Sequence, residues 1–274
     1  MLRRWPLPVP DGGDKKARGR VLVIGGSAQM PGAIILAATA ALRAGAGRLQ
    51  IATCASIAAL VATEIPESLV VGLEEADGAL AASAAEIARK QAEENDAVVL
   101  GPGMQHGDAC DAFVRDFLPD LAVPVVIDAA ALSCLHGVRV PNGILTPHHG
   151  EMATLLKTPI EEIQKHPQQA VRAACERFGA VVALKGEQTY ITSPDGEVYC
   201  NRYGTVGLAT SGSGDTLAGI IGGLAARGLA PLPATLWGVY LHAKAGEALM
   251  KEMGLGFLAR ELLAQIPPLM KIYS

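Results

Sequence analysis

The sequence predicts an α/β protein, with a mostly parallel central sheet covered by helices on both faces. Three observations carry that expectation. Short runs rich in Val and Ile alternate with longer Ala- and Leu-rich segments of helical length, most runs end in glycine, aspartate or lysine, and a single pair is joined by a tight polar turn. With 274 residues, half of them hydrophobic, the chain can bury one large core without dividing. One domain over 1–274 is expected, with 1–19 as an N-terminal extension.

Residues 20–24 (RVLVI) read as the first strand, and 48–53, 97–100, 124–127 and 180–184 repeat its character. The segments 32–44, 80–93, 109–117 and 168–178 have the length and apolar spacing of helices. The exception is the pair 189–192 and 197–200, joined by Ser193-Pro194-Asp195-Gly196, whose turn chemistry predicts an antiparallel hairpin. The last third predicts helices over 215–227, 232–251 and 257–266.

Composition excludes several function classes. Lys and Arg number 23 against 27 Asp and Glu, for a net charge of −4, and basic residues nowhere cluster with aromatics, so nucleic acid is not an expected partner. The five cysteines form no CxxC pair and are odd in number, which fits reduced, buried thiols better than a zinc cluster or a disulfide framework. Arg3 and Arg4 are followed by Pro6 rather than an apolar core, and 33–42 is too short to span a bilayer. A cytoplasmic protein with no membrane partner is expected.

The strongest local signal is Thr210-Ser211-Gly212-Ser213-Gly214-Asp215, a run of small residues leading into a helix. Unpaired amides and the helix dipole favour a phosphate there. A carboxylate beside such a nest suits a general base that takes the proton of an attacking hydroxyl. Helix capping fits Asp215 equally well on local sequence alone. No Lys-Ser or Lys-Thr follows the glycines, so this is not a Walker loop. Gly25-Gly26-Ser27 through Ala33 also joins a strand to a helix through small residues; a ligand contact and a plain tight turn both fit. Thr146-Pro147-His148-His149-Gly150-Glu151 lacks zinc spacing, and polar ligand contacts or a helix start at Glu151 fit it better. Lys185, at a strand end before Gly186, fits a phosphate contact or a surface lysine. The ends at 25–27, 101–103, 128 and 185–186 together mark the carboxyl edge where ligands of open parallel sheets bind.

The order of these motifs, GGSxxMxGA, GPG, a strand ending in Asp128, TPHxGE, a strand ending in Lys-Gly, and ATxGSGDxLAGII, closely resembles the ADP- or ATP-dependent NAD(P)H-hydrate dehydratases of the ribokinase-like superfamily. The resemblance runs from about residue 20 to the last helices. It implies a ribokinase-like fold and nucleotide-dependent repair of the S-epimer of hydrated NADH or NADPH, by phosphorylation of the ring hydroxyl and elimination of phosphate. It further implies Asp215 as base; Ala33, Gly103, His148 and Asp215 as hydrate contacts; and Lys185, Gly186, Glu187, Gln188, Thr189, Gly212, Ser213 and Gly214 around the nucleotide. Mg2+ is expected to come with the nucleotide, without a metal-ligand cluster of the protein's own, and a homo-oligomer is the expected assembly. Some family members carry an N-terminal epimerase domain; with about twenty residues before its first strand, this sequence is expected to have the dehydratase activity alone.

Four positions depart from the family pattern. Ala130 stands where a second carboxylate is usual, Ser211 for Gly, His149 for Pro, and Thr205-Val206 for Asn-Pro. These leave the choice between ADP and ATP, and between the two hydrates, open. A kinase for a small hydroxyl-bearing metabolite and a non-catalytic nucleotide sensor are the competing functions.

Overall fold

A computed structural model describes residues 2–8 and 18–273. Positions 9–17 of the N-terminal extension lie outside the described residues. Nine strands form one sheet in the order β11-β10-β9-β8-β7-β6-β1-β2-β3. The strands are β1 (Arg20–Ile24), β2 (Arg48–Cys54), β3 (Ser68–Leu73), β6 (Ala97–Leu100), β7 (Val125–Ile127), β8 (Gly143–Leu145), β9 (Val181–Leu184), β10 (Thr189–Thr192) and β11 (Val198–Asn201). From β3 across to β9 every pairing is parallel; β10 and β11 form the expected antiparallel hairpin at one edge. A separate two-stranded hairpin, β4 (Glu75–Ala76) and β5 (Ala79–Leu80), stands beside the sheet.

The expectation of one helix over 80–93 needs correction. Leu80 belongs to β5, residues 82–84 make a 3-10 turn, and the helix α3 is Ala85–Glu93. The apolar spacing of that segment arises because Leu80, Ala84, Ala85, Ala88 and Ala92 are all buried although they sit on three different local structures. Strand β3 and helices α2 (Ala55–Glu64), α5 (Ala130–Ser133) and α7 (Ile160–Lys165) are not evident from the sequence pattern, while the helix start expected at Glu151 is α6 (His149–Leu156), which begins two residues earlier. At the C-terminus α11 (Ala259–Tyr273) runs on through Pro267 and Pro268, past the predicted end at 266, with Met270 buried beyond them. Two lost N–H donors are tolerated there because tertiary burial holds the last turns.

Helices α1 (Pro31–Arg43), α9 (Ser213–Ala226), α10 (Pro231–Met253) and α11 pack together on one face, while α3, α4 (Asp108–Phe117), α6 and α8 (Pro167–Phe178) cover the other. Strands β6, β7 and β9 are buried along their whole length, as parallel strands covered on both sides must be. Helix α9 is wedged between α1 and the sheet. A β-carbon on Gly219 would stand 2.0 Å from the Ala37 carbonyl oxygen, on Gly222 2.2 Å from Val99 Cγ2, and on Gly223 2.4 Å from the Ala41 carbonyl oxygen. Glycines on two sides of α9 therefore let its backbone lie against both neighbours.

The chain enters the sheet at its middle, winds outward through β2 and β3, then returns to the opposite side of β1 with β6. Strands β1 and β6 form the topological switch, and the loops after them, 25–27 and 101–103, meet at the carboxyl edge of the sheet, where Gly26 N donates to the Pro102 carbonyl at 2.8 Å. Among the described residues no helix is long and apolar enough to cross a membrane. Cys54, Cys110, Cys134 and Cys175 are buried free thiols, and Cys200 is half-buried.

Candidate active site

The glycines at the strand ends pack these loops on one another. A β-carbon on Gly25 would meet the Pro102 carbonyl oxygen at 2.2 Å, on Gly103 the Met30 carbonyl oxygen at 2.5 Å, and on Gly101 the Asp128 carbonyl oxygen at 1.9 Å. Gly103 and Ala33 are thereby neighbours, the Ala33 methyl lying 3.1 Å from that same Gly103 position. One turn further along α1, Leu36 packs on Gly212, 2.5 Å from where its β-carbon would be. Helix α1 thus joins the loops after β1 and β6 to the small-residue loop.

Gly212 (φ 86°) is the residue preceding α9, and only glycine combines that conformation with Leu36 so close. Asp215 lies in the first turn, and no side chain caps this helix. The Asp215 carboxylate is hydrogen-bonded to its own backbone amide, which lowers its proton affinity. Burial pushes it up to about 7, Asp128 adds to the rise, and Lys185 opposes it.

Lys185 follows β9 and reaches back under the α9 start. Its Nζ donates to Asp128 Oδ1 at 2.8 Å and lies 4.0 Å from Glu151 Oε2. Gly214 sits directly above, where a β-carbon would be 3.3 Å from Lys185 Nζ and 3.6 Å from Asp128 Oδ2. Burial works against the ammonium, but Asp128, Glu151 and Asp215 together hold it above its ordinary value, so Lys185 stays charged. Asp128 is 2% exposed and also accepts from Thr146 Oγ1 at 2.8 Å. Ala129, just after it, has φ 52° and ψ −134°, a strained conformation for a residue with a side chain, which turns the chain sharply from β7 into α5.

His148 caps α6. Its Nδ1 accepts from Gly150 N (3.0 Å) and Glu151 N (3.2 Å), while its own amide donates to Glu151 Oε2 at 2.7 Å. With Nδ1 engaged as an acceptor, a neutral His148 carries its proton on Nε2. Burial raises the Glu151 carboxyl, Lys185 lowers it and Asp128 raises it again. The adjacent His149 turns a different way, packing against Gly186, and burial lowers its ring.

Beside these groups opens a cleft of about 1040 Å³. Lys185, Gly186, Glu187, Gln188 and Thr189 line one wall, Ser213 and Gly214 the floor, and the loop from Asn201 to Thr210 the far side. Of the residues singled out in the sequence, His148, Lys185 to Thr189, Ser213 and Gly214 share this cleft; Gly212, Asp215, Ala33 and Gly103 do not line it. Sequence reasoning missed Thr146 as the partner of Asp128, and missed His242, which is 8% exposed and lines the cleft from α10. The available signal was a histidine in an otherwise apolar stretch of a buried helix.

A doubly covered parallel sheet with a cleft at its carboxyl edge, a glycine-rich helix start and a carboxylate in the first turn of that helix place the protein in the ribokinase-like class. A ribokinase-like superfamily protein from Enterococcus faecalis V583 superposes with a TM-score of 0.86 at 27% identity, over 100% of this chain and 94% of that one. The family model described as NAD(P)H-hydrate dehydratase matches residues 21–268. The ADP-dependent (S)-NAD(P)H-hydrate dehydratase of Xanthomonas campestris pv. campestris is 46% identical over 97% of this chain and 92% of its own. An ADP/ATP-dependent NAD(P)H-hydrate dehydratase from Bacillus subtilis, co-crystallized with ATP/Mg2+, has a TM-score of 0.84 at 31% identity, covering 100% of this chain and 96% of that chain. The chain belongs to the NAD(P)H-hydrate dehydratase family.

Proposed function

We propose that this protein restores NADH or NADPH from the S-epimer of its hydrate, using ADP or ATP, with Asp215 as the base. The observation that carries this reading is the Asp215 carboxylate, partly buried in the first turn of α9, its proton affinity tuned to about 7 between Asp128 and Lys185. A general base works best with an affinity near the operating pH. Asp215 takes the proton of the ring hydroxyl as that oxygen attacks the terminal phosphorus. The bond to the nucleotide's leaving phosphate breaks, and the Gly214 amide with Lys185 holds the transferring group. The C–O bond of the ester then breaks, phosphate departs, and loss of a neighbouring C–H proton restores the ring double bond. Phosphorylation is needed because hydroxide is a poor leaving group. Ala33, Gly103 and His148 are the proposed hydrate contacts.

The charged groups around Lys185 are all oxygen donors: Asp128, Glu151 and Asp215. Mg2+ binds commonly through one or two carboxylates plus nucleotide phosphates. Among the described residues no cluster of three or more His, Cys, Asp or Glu could hold a metal alone. Asp128 and Glu151 would steady an ion carried in by the nucleotide, which would neutralise phosphate charge.

The test is to incubate the pure protein with hydrated NADH, Mg2+ and either ADP or ATP, and follow the return of reduced-nicotinamide absorbance. No return with either nucleotide refutes the reading. Mass spectrometry of the products separates the dehydratase, which releases free phosphate, from a kinase, which leaves a stable phosphate ester.

A further inference from the structure

Ser213 and His242 form a buried pair that the reaction as described leaves unused. Ser213, the first residue of α9, is 5% exposed, and its Oγ lies 3.1 Å from His242 Nε2 across the gap between α9 and α10. Both side chains border the cleft beside Gly214 and Lys185. The Ser213 carbonyl is tied separately, accepting from Thr216 Oγ1 at 2.7 Å. Backbone and side chain of Ser213 are thus held by different partners. The hydroxyl's rotation is set by the histidine alone among the contacts it makes here.

Burial drives His242 down to about 4, and Lys185 works in the same direction, so the ring is neutral near pH 7 and adds no charge to the site. A neutral imidazole carries one proton, and its placement decides what Ser213 can offer. If Nε2 bore no proton, Ser213 would donate to the ring and turn only lone pairs toward a phosphate. If Nε2 bears it, the ring donates to Ser213 Oγ and the hydroxyl proton is free to point into the cleft.

Given the phosphoryl-transfer reading of the α9 start, on which this rests, we propose that His242 is a positioning residue. By donating Nε2–H to Ser213 Oγ it locks the hydroxyl as a donor to the nucleotide's terminal phosphoryl group. It touches neither the hydrate nor the reacting atoms and acts through Ser213. The group served is the one that distinguishes ADP from AMP.

The experiment is a double-mutant cycle read by calorimetric affinity for ADP and AMP with Mg2+, using the whole protein. The proteins are the wild type, Ser213→Ala, His242→Leu, the double variant and His242→Gln, whose amide N–H can replace Nε2–H; thermal unfolding checks that each is folded. One charge-assisted hydrogen bond predicts a loss of ADP preference over AMP of about tenfold in each single variant. The double variant should lose no more than either single, and His242→Gln should recover most of the preference. A multiplicative loss in the double variant, an equal loss of ADP and AMP binding, or a glutamine variant as weak as the leucine one would overturn the proposal. The hydrated-NADH assay stands apart: absent turnover beside an intact coupling removes the dehydration reading and leaves the Ser213–His242 pairing in place.

Discussion

At the scale of single residues, Asp215 concentrates the testable chemistry. Asp215→Asn is expected to abolish turnover, by at least about a thousandfold, while nucleotide affinity stays within a few-fold, since the nest amides and Lys185 are untouched. In the free wild-type enzyme, kcat/KM should rise with pH and level off above about 7, as the base becomes ionised. Stability should move the other way. An unfolded aspartate loses its proton near 4 but the folded one holds it to about 7, so the native state binds more protons in that window. Wild-type stability therefore declines as pH rises from about 4 to about 7, by an upper bound of about 4 kcal/mol, and the decline is missing from Asp215→Asn. Unfolding midpoints of both proteins at pH 5 and pH 8 check this, and equal slopes would dismiss the tuned carboxylate. Asp128→Ala is expected to cost about 3 kcal/mol by stranding a partly buried ammonium. It should weaken nucleotide binding too, because Asp128 holds Lys185 under the nest; denaturant midpoints and ADP titration measure the two effects.

At the scale of elements, the placement of α9 decides the geometry of the nest. Its glycines matter for their missing side chains, since β-carbons would enter α1 on one side and β6 on the other. Gly219→Ala should cost at least about 2 kcal/mol through forced overpacking against the Ala37 carbonyl, and should lower activity as the helix start shifts. Gly256→Ala, where nothing lies within 4 Å of the added carbon, should change stability by less than about 0.5 kcal/mol. Thermal unfolding of both variants compares them directly, and similar midpoints would show that α9 can move without penalty. Helix α6 makes the complementary point. Its start is pinned by the reciprocal bonds of His148 and Glu151, so the TPHHGE segment builds a capped helix whose two ends of the cap face Lys185 and the cleft.

At the scale of the whole molecule, the proposed role of Mg2+ ties the ion to the nucleotide. Chelation should stop recovery of the reduced cofactor yet leave the unfolding midpoint of the nucleotide-free protein unchanged, because the described residues contain no cluster that would hold a structural ion. A midpoint that falls on chelation would contradict this. Much of the architecture was legible beforehand: β1, β6 and β9, the hairpin at 189–200 and the start of α9 agree with the sequence pattern to within two residues. Strand β3 escaped, and β8 is signalled only by its place before the Thr146 motif, for separate reasons. Ser68–Leu73 is an edge strand only partly buried, so its apolar run is interrupted by Gly72, and Gly143–Leu145 is three residues long, too short for periodicity to register. By itself the sequence determined the α/β class, the small-residue loop entering a helix and the carboxylate within it, because each is a local property of a few consecutive residues. Only tertiary structure decided which groups gather around that carboxylate, its neighbour Asp128 and the helix start. Asp128, Thr146, Glu151, Lys185 and His242 come from five different strand ends and helices, and their meeting depends on sheet order and helix packing, which bring distant residues together through a shared core.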